Sequence, residues 1–388
     1  MTVAASLPAM QRALKITGSG TAAVSENTPL PVLKPDDILV RVACVSINHV
    51  DGKSADMSPS PGATSGTDFS GVVVALGSDV AGAGSRYRAD RGLKPLHLGD
   101  RVMGGVFGNN PLRHDNGAFA EYVAVPASLV WHVPAVMDLA TAATLPAAIA
   151  TVGLSLFQYL QLPMPCSAVS ADDTASAAPT PIVLVYGGGT ATGAMAIQIL
   201  RAAGIACITT CSPGSAPLAT RLGAVAAFDY HSPTCGAEIR EYTGNTLALA
   251  LDCITDTASM GVCYEALGDT GGRYVALDSF PLRGHTRRSV TPDWVCTYTQ
   301  FGHRIAWVPP YNLDARPMDL ACAQDWYVVA QRLLDEGRIQ AHPQEERRGG
   351  LEAVAQGMEE VMKGLIKGRK LVYPICGELV SADGRSVM

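Results

Sequence analysis

The sequence predicts an α/β chain in which a doubly wound parallel sheet follows a β-rich front. Three observations predict it. The first is the stretch from Ile182 to Gly204. Ile182 to Tyr186 is an apolar run that reads as a buried strand, Gly187, Gly188 and Gly189 follow at once, and Met195, Ile199 and Leu200 then recur at helical spacing before Gly204. Strand, glycine turn and helix are the context in which a dinucleotide's pyrophosphate meets a helix N-terminus, although a glycine turn in another α/β unit has the same pattern. The second is the alternation that continues from there. Ala206–Thr210, Val225–Tyr230, Leu247–Leu251 and Arg273–Leu277 read as strands, with helices such as 217–222 and 258–267 between them. The third is the front, where 38–47, 69–76, 99–103 and 118–125 read as strands separated by glycine and proline turns.

The remaining elements follow from the same signals. A single helix is expected from Asp138 to Leu160, then a Pro-, Ser- and Ala-rich loop from Pro163 to Pro181. Beyond residue 310, helices at 323–336 and 351–363 precede a last strand at 370–375.

The chain has 388 residues, enough for about two domains. A net charge of −6 and the lack of a basic stripe argue against nucleic acid as a partner. The ten cysteines form no C-x-x-C pair, and Cys207, Cys253 and Cys263 sit in apolar runs, as reduced thiols of a cytoplasmic protein would. The segment Met1–Gly18 lacks the charged start and compact apolar core of a signal peptide. Leu139 to Ala171 carries no charge, but Pro146, Gln158, Gln161, Pro163 and Pro165 interrupt it, so a buried helix lining a pocket is expected and not a membrane span.

The second strand of the dinucleotide unit ends in Thr210-Cys-Ser-Pro-Gly-Ser215. A ligand with a free ribose 2′-hydroxyl calls for a carboxylate about 20 residues past the glycine motif, and none stands there. Ser212 and Ser215 are hydrogen-bond donors for a 2′-phosphate, and Arg221 is a nearby positive charge, so NADPH is expected over NADH. The same serines would serve equally as a loop or a helix cap.

Several motifs resemble the medium-chain dehydrogenase/reductase superfamily. Val45-Ser-Ile-Asn-His-Val-Asp-Gly-Lys53 is similar to its N-P-x-D-x-K segment, and Gly66-Thr-Asp-Phe-Ser-Gly71 to its G-x-D-x-x-G turn. Leu145-Pro-Ala-Ala-Ile-Ala-Thr-Val-Gly-Leu154 resembles the helix that enters the cofactor domain. Within the superfamily, Tyr186–Thr192, Thr210–Pro213, Ala250–Thr255 and Gly357–Gly364 resemble the enoyl reductases that act in trans with fungal polyketide synthases, and the likeness spans about residues 10 to 376. It implies a GroES-like catalytic domain (1–160 and 311–388) and a Rossmann NADP-binding domain (161–310). It also implies NADPH, an α,β-unsaturated polyketide thioester on an acyl carrier protein, and a monomer. No metal is expected, because Gly66-Thr67-Asp68 replaces the Gly-His-Glu of zinc-dependent relatives and the cysteines do not cluster.

Residue roles carry over in the same way. Lys53, Thr151 and Asn48 are the catalytic candidates, Lys53 beside the nicotinamide ribose and Thr151 beside the ring. Val50, Asp51, Gly188, Gly189, Thr190, Ala191, Thr192, Gly193, Ser212, Pro213, Gly214, Ser215, Tyr230, Leu277, Asp278, Leu371 and Val372 are implied on the cofactor. Val152, Gly153, Leu154, Leu156 and Tyr159 form an apolar run fit for an acyl pocket, and Phe301 and Gly302 match another pocket segment; ordinary core packing accounts for each as well. Arg283, Arg287, Arg288 and Arg304 are either a docking patch for an acidic carrier protein or a solvated loop. His49 replaces the proline usual in the superfamily motif. Two other functions fit the same residues: a free-standing quinone or enone reductase, and a non-catalytic NADPH-binding accessory protein.

Overall fold

The computed structural model of the chain describes residues 2–3, 7–81, 85–165 and 181–376. Most of the expected Pro163–Pro181 loop lies outside the described residues. The front holds β1 (Thr2–Val3), β2 (Met10–Gly18), β3 (Thr21–Pro29), β4 (Asp37–Ser46), α1 (His49–Met57), β5 (Asp68–Leu76), α2 (Ser78–Ala81) and α3 (Ser85–Asp90). It continues through β6 (Arg101–Gly105), β7 (Tyr122–Pro126), β8 (Val130–His132), α4 (Leu139–Ala143) and α5 (Pro146–Gly153). The middle alternates β9 (Val183–Tyr186), α6 (Ala191–Ala202), β10 (Cys207–Cys211), α7 (Ala216–Leu222), β11 (Ala226–Asp229), α8 (Cys235–Tyr242), β12 (Leu249–Asp252), α9 (Thr257–Ala266), β13 (Gly272–Ala276) and β14 (Val290–Trp294). The end holds β15 (Ile305–Ala306), β16 (Asn312–Leu313), α10 (Pro317–Asp335), β17 (Gln344–Glu346), α11 (Gly350–Met362) and β18 (Lys370–Pro374).

The front and the end share one sheet, ordered β17-β18-β4-β5-β6-β8, with β7 on β4 and β1 on β5. In β4 every residue except Arg41 is buried. That explains its continuous apolar reading: the strand is covered on both faces. The hairpin β2–β3 was not expected from sequence. Thr28 is the one fully buried residue of β3, so that strand has no apolar period to detect.

The middle sheet is parallel throughout, in the order β11-β10-β9-β12-β13-β14. The chain direction of winding reverses between β9 and β12, and doubly wound sheets bind ligands in the crevice at that point. The five expected strands and the helix after Gly189 are present. Gly204, at φ 70, closes the chain after α6 in a conformation that costs glycine little. The sixth strand, β14, has no apolar run to mark it in the sequence, because it carries Pro292 and alternates buried or half-buried with exposed residues; proline is tolerated there because β14 is an edge strand.

The single helix expected at 138–160 is three pieces. Asp138 caps α4 by accepting from the Thr141 N–H at 2.6 Å. Pro146 then starts α5, where its missing N–H costs nothing, whereas in a continuous helix it would break the ladder. A π-helical turn, Leu154–Tyr159, follows α5. Among the described residues no helix is long and apolar enough to cross a membrane.

The main core joins the two sheets through α5, α6 and α10. Trp131 of β8 stacks on Tyr327 of α10 at 3.8 Å, and the Trp326 indole N–H donates to the Ile149 carbonyl at 2.8 Å. Gly153 lies against Trp326: a Cβ there would sit 2.0 Å from its Cδ1. Gly153→Ala is therefore expected to destabilise the fold by about 1–3 kcal/mol, read as a lower urea midpoint, because a buried indole has no room to retreat.

Candidate active site

A cavity of about 520 Å³ opens where the C-terminal ends of β9, β12, β13 and β14 meet α1 and α5. Thr190 and Thr192 reach it from the glycine turn, Cys253, Ile254 and Thr255 from the loop after β12, and Leu277 and Asp278 from the loop after β13. Asn48, His49, Val50, Lys53 and Met57 come from the start and body of α1, Thr67 from the turn before β5, and Ala147 and Thr151 from α5. The loop after β14 adds Val295, Cys296, Thr297 and Tyr298, and Trp294, Trp307 and Tyr311 complete the wall.

The glycine turn is built for close approach. Gly187 adopts φ 91, and side chains at Gly188 and Gly193 would collide at 2.2 Å with Thr209 Oγ1 and the Gly187 carbonyl. Thr190 caps α6, its hydroxyl accepting from the Gly193 N–H at 3.0 Å. Among the described residues, the N–H groups of Ala191 and Thr192 have no protein acceptor. Such a helix start is an anion cradle, and it fits the pyrophosphate of a dinucleotide. Ser215 adjoins the turn, its Oγ standing 2.9 Å from where a Cβ on Gly189 would be. Ser212 Oγ lies 3.2 Å from Ser215 Oγ, and Pro213 and Gly214 are exposed between them. Asp229 pairs in register with Cys211 on the neighbouring strand, and its carboxylate accepts from the His231 N–H at 3.0 Å. Tyr230, 42% exposed, tilts toward Tyr186 with ring centres 6.3 Å apart.

Across the cavity, Lys53 forms an ion pair with Asp278 and donates to Tyr311 Oη at 2.9 Å, while Tyr311 donates to the other Asp278 oxygen at 2.6 Å. Burial alone would lower the Lys53 pKa; the hydrogen bonds it donates to Asp278 and Tyr311 outweigh it, and the ammonium is held above its ordinary value. An ammonium has three donors, so two are committed and one remains. Burial and the Lys53 charge push His49 below its ordinary pKa, which keeps that ring neutral. Thr151 Oγ1 lies 2.7 Å from Thr297 Oγ1, a hydroxyl pair on the wall.

Behind this wall is a buried polar layer. Asn48 donates to Asp68 at 2.8 Å and accepts from Lys370 at 2.8 Å, and Lys370 also meets Asp68 at 3.0 Å. The Asn48 side chain is thus spent on holding the start of α1. Asp51 accepts from the Asn48 N–H and from Thr67 Oγ1, each at 2.7 Å. Burial raises its pKa to about 7. On the far side, Asp252 accepts from the Ile254 and Thr255 N–H groups at 2.9 and 3.0 Å, which holds Thr255 at φ 63 on the cavity wall.

The expected site residues fall into three groups. Asn48, Val50, Lys53, Thr151, Thr190, Thr192, Leu277 and Asp278 share the cavity. The other turn residues, Gly188, Gly189, Ala191 and Gly193, lie with Ser212–Ser215 and Tyr230 along the end of the parallel sheet beyond it. A third group, which includes the buried Asp51, does not line the cavity. Val152, Leu154 and Leu156 are core residues, Gly153 abuts Trp326, and Tyr159 donates to Asp319 at 2.9 Å. Phe301 packs on the same core and Gly302 abuts Leu320 of α10. Leu371 and Val372 are buried in β18, where the Leu371 carbonyl accepts from the Ile47 N–H at 3.1 Å; they brace the loop that carries Asn48 from behind. Arg287 is drawn inward onto the carbonyls of Tyr264, Leu267 and Gly268, so it is a cap for α9 and not part of an open basic patch. Thr67, Tyr298, Trp307 and Tyr311 were not foreseen. Thr67 alone carried a signal, its place in the Gly-Thr-Asp turn.

Among the described residues, no three His, Cys, Asp or Glu side chains gather to hold a metal ion. Residues 34–135 match the alcohol dehydrogenase GroES-like domain. The chain is 70% identical to the trans-enoyl reductase iccB of Talaromyces variabilis, over 97% of this chain and 99% of that one. It is 53% identical to the trans-enoyl reductase tenC of Beauveria bassiana, over 97% of this chain and 99% of that one. In structure it resembles an alcohol dehydrogenase superfamily protein from Novosphingobium aromaticivorans (TM-score 0.71, 20% identity, 95% of this chain and 100% of that one). It also resembles the CurK enoyl reductase (TM-score 0.65, 15% identity, 95% of this chain and 100% of that one). The chain belongs to the trans-enoyl reductases of the medium-chain dehydrogenase/reductase superfamily and is an enoyl-reducing oxidoreductase.

Proposed function

We propose that the chain reduces the α,β-unsaturated thioester of a polyketide borne on a synthase's acyl carrier protein, using NADPH. The monomeric state that the sequence resemblance implies and the cytoplasmic location that the cysteines suggest belong to the same proposal. One observation carries it: a single cavity joins the anion cradle at the start of α6 to the Lys53 ammonium and the Thr151–Thr297 hydroxyls. NADPH, when bound, supplies the hydride for the β-carbon.

The chain's own residues do the rest by positioning and electrostatics. The Ala191 and Thr192 N–H groups hold the pyrophosphate. Ser212 and Ser215 donate to the 2′-phosphate, and Tyr230 covers the adenosine end. Thr151 orients the reacting groups. The uncommitted donor of Lys53 stabilises negative charge developing on the thioester oxygen, and Asp278 and Tyr311 keep that ammonium charged and in place. Trp294, Trp307 and Met57 give the cavity apolar walls that shed water around an acyl chain.

The test is NADPH consumption on synthetic α,β-unsaturated thioesters of increasing length, with product mass measured. Turnover with the product gaining two hydrogens is expected. Turnover of a simple enone but no thioester would point to a diffusible-substrate reductase, and tight NADPH binding without any turnover to an accessory protein. Ser212→Asp is expected to weaken NADPH binding by about tenfold or more while sparing NADH, since a carboxylate repels the 2′-phosphate; equal NADPH affinity, measured by titration, would remove Ser212 from that role.

A further inference from the structure

Each hydride delivered to an enoyl group calls for one proton at the α-carbon. Thr67 and Tyr298 both face the cavity, and their hydroxyl oxygens are 2.6 Å apart. Thr67 Oγ1 is in turn 2.7 Å from Oδ1 of Asp51, a carboxyl that is 3% exposed. The Tyr298 ring is fixed by a stacked Phe107 at 4.5 Å and an edge-on Trp307 at 5.3 Å. A row of three oxygens able to exchange protons, on Asp51, Thr67 and Tyr298, thus runs from the protein interior to the cavity wall.

We propose that Tyr298 gives the α-carbon its proton and that Asp51, acting through Thr67, replaces it. This rests on the enoyl-thioester reading above. When Asp51 is protonated the bond it accepts from Thr67 reverses: in that loaded state the Asp51 carboxyl donates to Thr67, Thr67 donates to Tyr298, and the phenol donates into the cavity. As the electron pair of the enolate takes the phenol proton, a C–H bond forms and the Tyr298 O–H bond breaks. The Thr67 proton moves to the phenol oxygen and the Asp51 proton to the Thr67 oxygen. One proton has left for the product and one negative charge rests on Asp51. Water entering after product release reloads the row in the opposite direction.

The competing donors are poorer. Lys53 is held charged by Asp278 and Tyr311, and Tyr311 spends its proton on Asp278. Burial holds the Tyr298 phenol well above its ordinary pKa, so it parts with a proton only when another arrives. Asp51 is suited to supply one. Burial raises it to about 7 against the pull of the Asn48 N–H and Thr67, while Asp68 of β5 raises it further and Lys370 of β18 lowers it. It is therefore protonated below about pH 7 and a carboxylate above.

The experiment measures kcat against pH, in water and in deuterium oxide, with saturating NADPH and a synthetic enoyl thioester. Wild-type kcat is expected to fall as pH rises through about 7. Tyr298→Phe, which keeps the stacked ring, and Thr67→Val are expected to lower kcat at least tenfold, by about the effect of losing a general acid, with the NADPH KM little changed. Thr67→Ser restores most of the rate and the pH dependence lost in Thr67→Val, and Asp51→Asn removes the break near pH 7. Melting curves check that each variant is folded. Wild-type turnover alongside a Tyr298→Phe variant with unchanged kcat and solvent isotope effect would overturn the relay alone. Failure of the wild type to reduce any enoyl thioester would overturn the relay together with the functional reading beneath it.

Discussion

Lys53→Ala is expected to lower kcat for enoyl reduction by roughly a hundredfold or more, the scale seen when one donor to a developing oxyanion is lost. The ammonium is the cavity's committed positive charge. Asp278 and Tyr311 hold it there, and the remaining donor faces no fixed partner. Its removal leaves Asp278 with Tyr311 at 2.6 Å and the Ser279 N–H at 2.8 Å, so the carboxylate is not orphaned and the fold should melt where the wild type does. The loss should appear in kcat and kcat/KM together, as for an interaction made in the transition state. Unchanged turnover in steady-state kinetics would reject the role.

The second large effect is expected at Gly193. An added Cβ would lie 2.2 Å from the Gly187 carbonyl oxygen, which is backbone and has nowhere to swing. Relief requires the start of α6 to shift away from the turn, and that shift carries the Ala191 and Thr192 N–H groups with it. Strain of about 1–3 kcal/mol corresponds to roughly a five- to 150-fold loss of NADPH affinity for Gly193→Ala, measured by fluorescence titration. Gly261→Ala is the control, since a Cβ there meets nothing within 4 Å on the surface of α9. Its affinity should match the wild type, and matching loss in both variants would rule out the cradle as the cause.

The parallel sheet was legible because β9 to β13 are short apolar runs broken by helices, and the glycines between Tyr186 and Thr190 mark the crevice by their spacing alone. Lys53 was legible because its motif carries Asn48 and Asp51 at fixed offsets on one short helix. The opposite wall was not. Tyr298, Trp307 and Tyr311 come from loops more than 200 residues away in sequence, and no local pattern distinguishes a loop tyrosine that will face Lys53 from one that will not. The run Val152–Tyr159 misled for a related reason. An uncharged helix reads alike whether it borders a cavity or a core, and its partner Trp326 belongs to α10, whose packing no local period reveals. Asp51 shows the same limit. Its place in the motif suggested the cofactor, whereas its hydrogen bonds run to Asn48 and Thr67 and its burial sets its proton affinity.

The central claim is that one cavity receives the reactive end of a phosphorylated nicotinamide cofactor bound across the end of the parallel sheet. A crystal structure grown with NADP+ tests it most directly. The account predicts the diphosphate on the Ala191 and Thr192 N–H groups, the 2′-phosphate at Ser212 and Ser215, and the nicotinamide ring beside Lys53 and Thr151. Density for the cofactor anywhere else, or a glycine turn closed over by side chains in its presence, would contradict it.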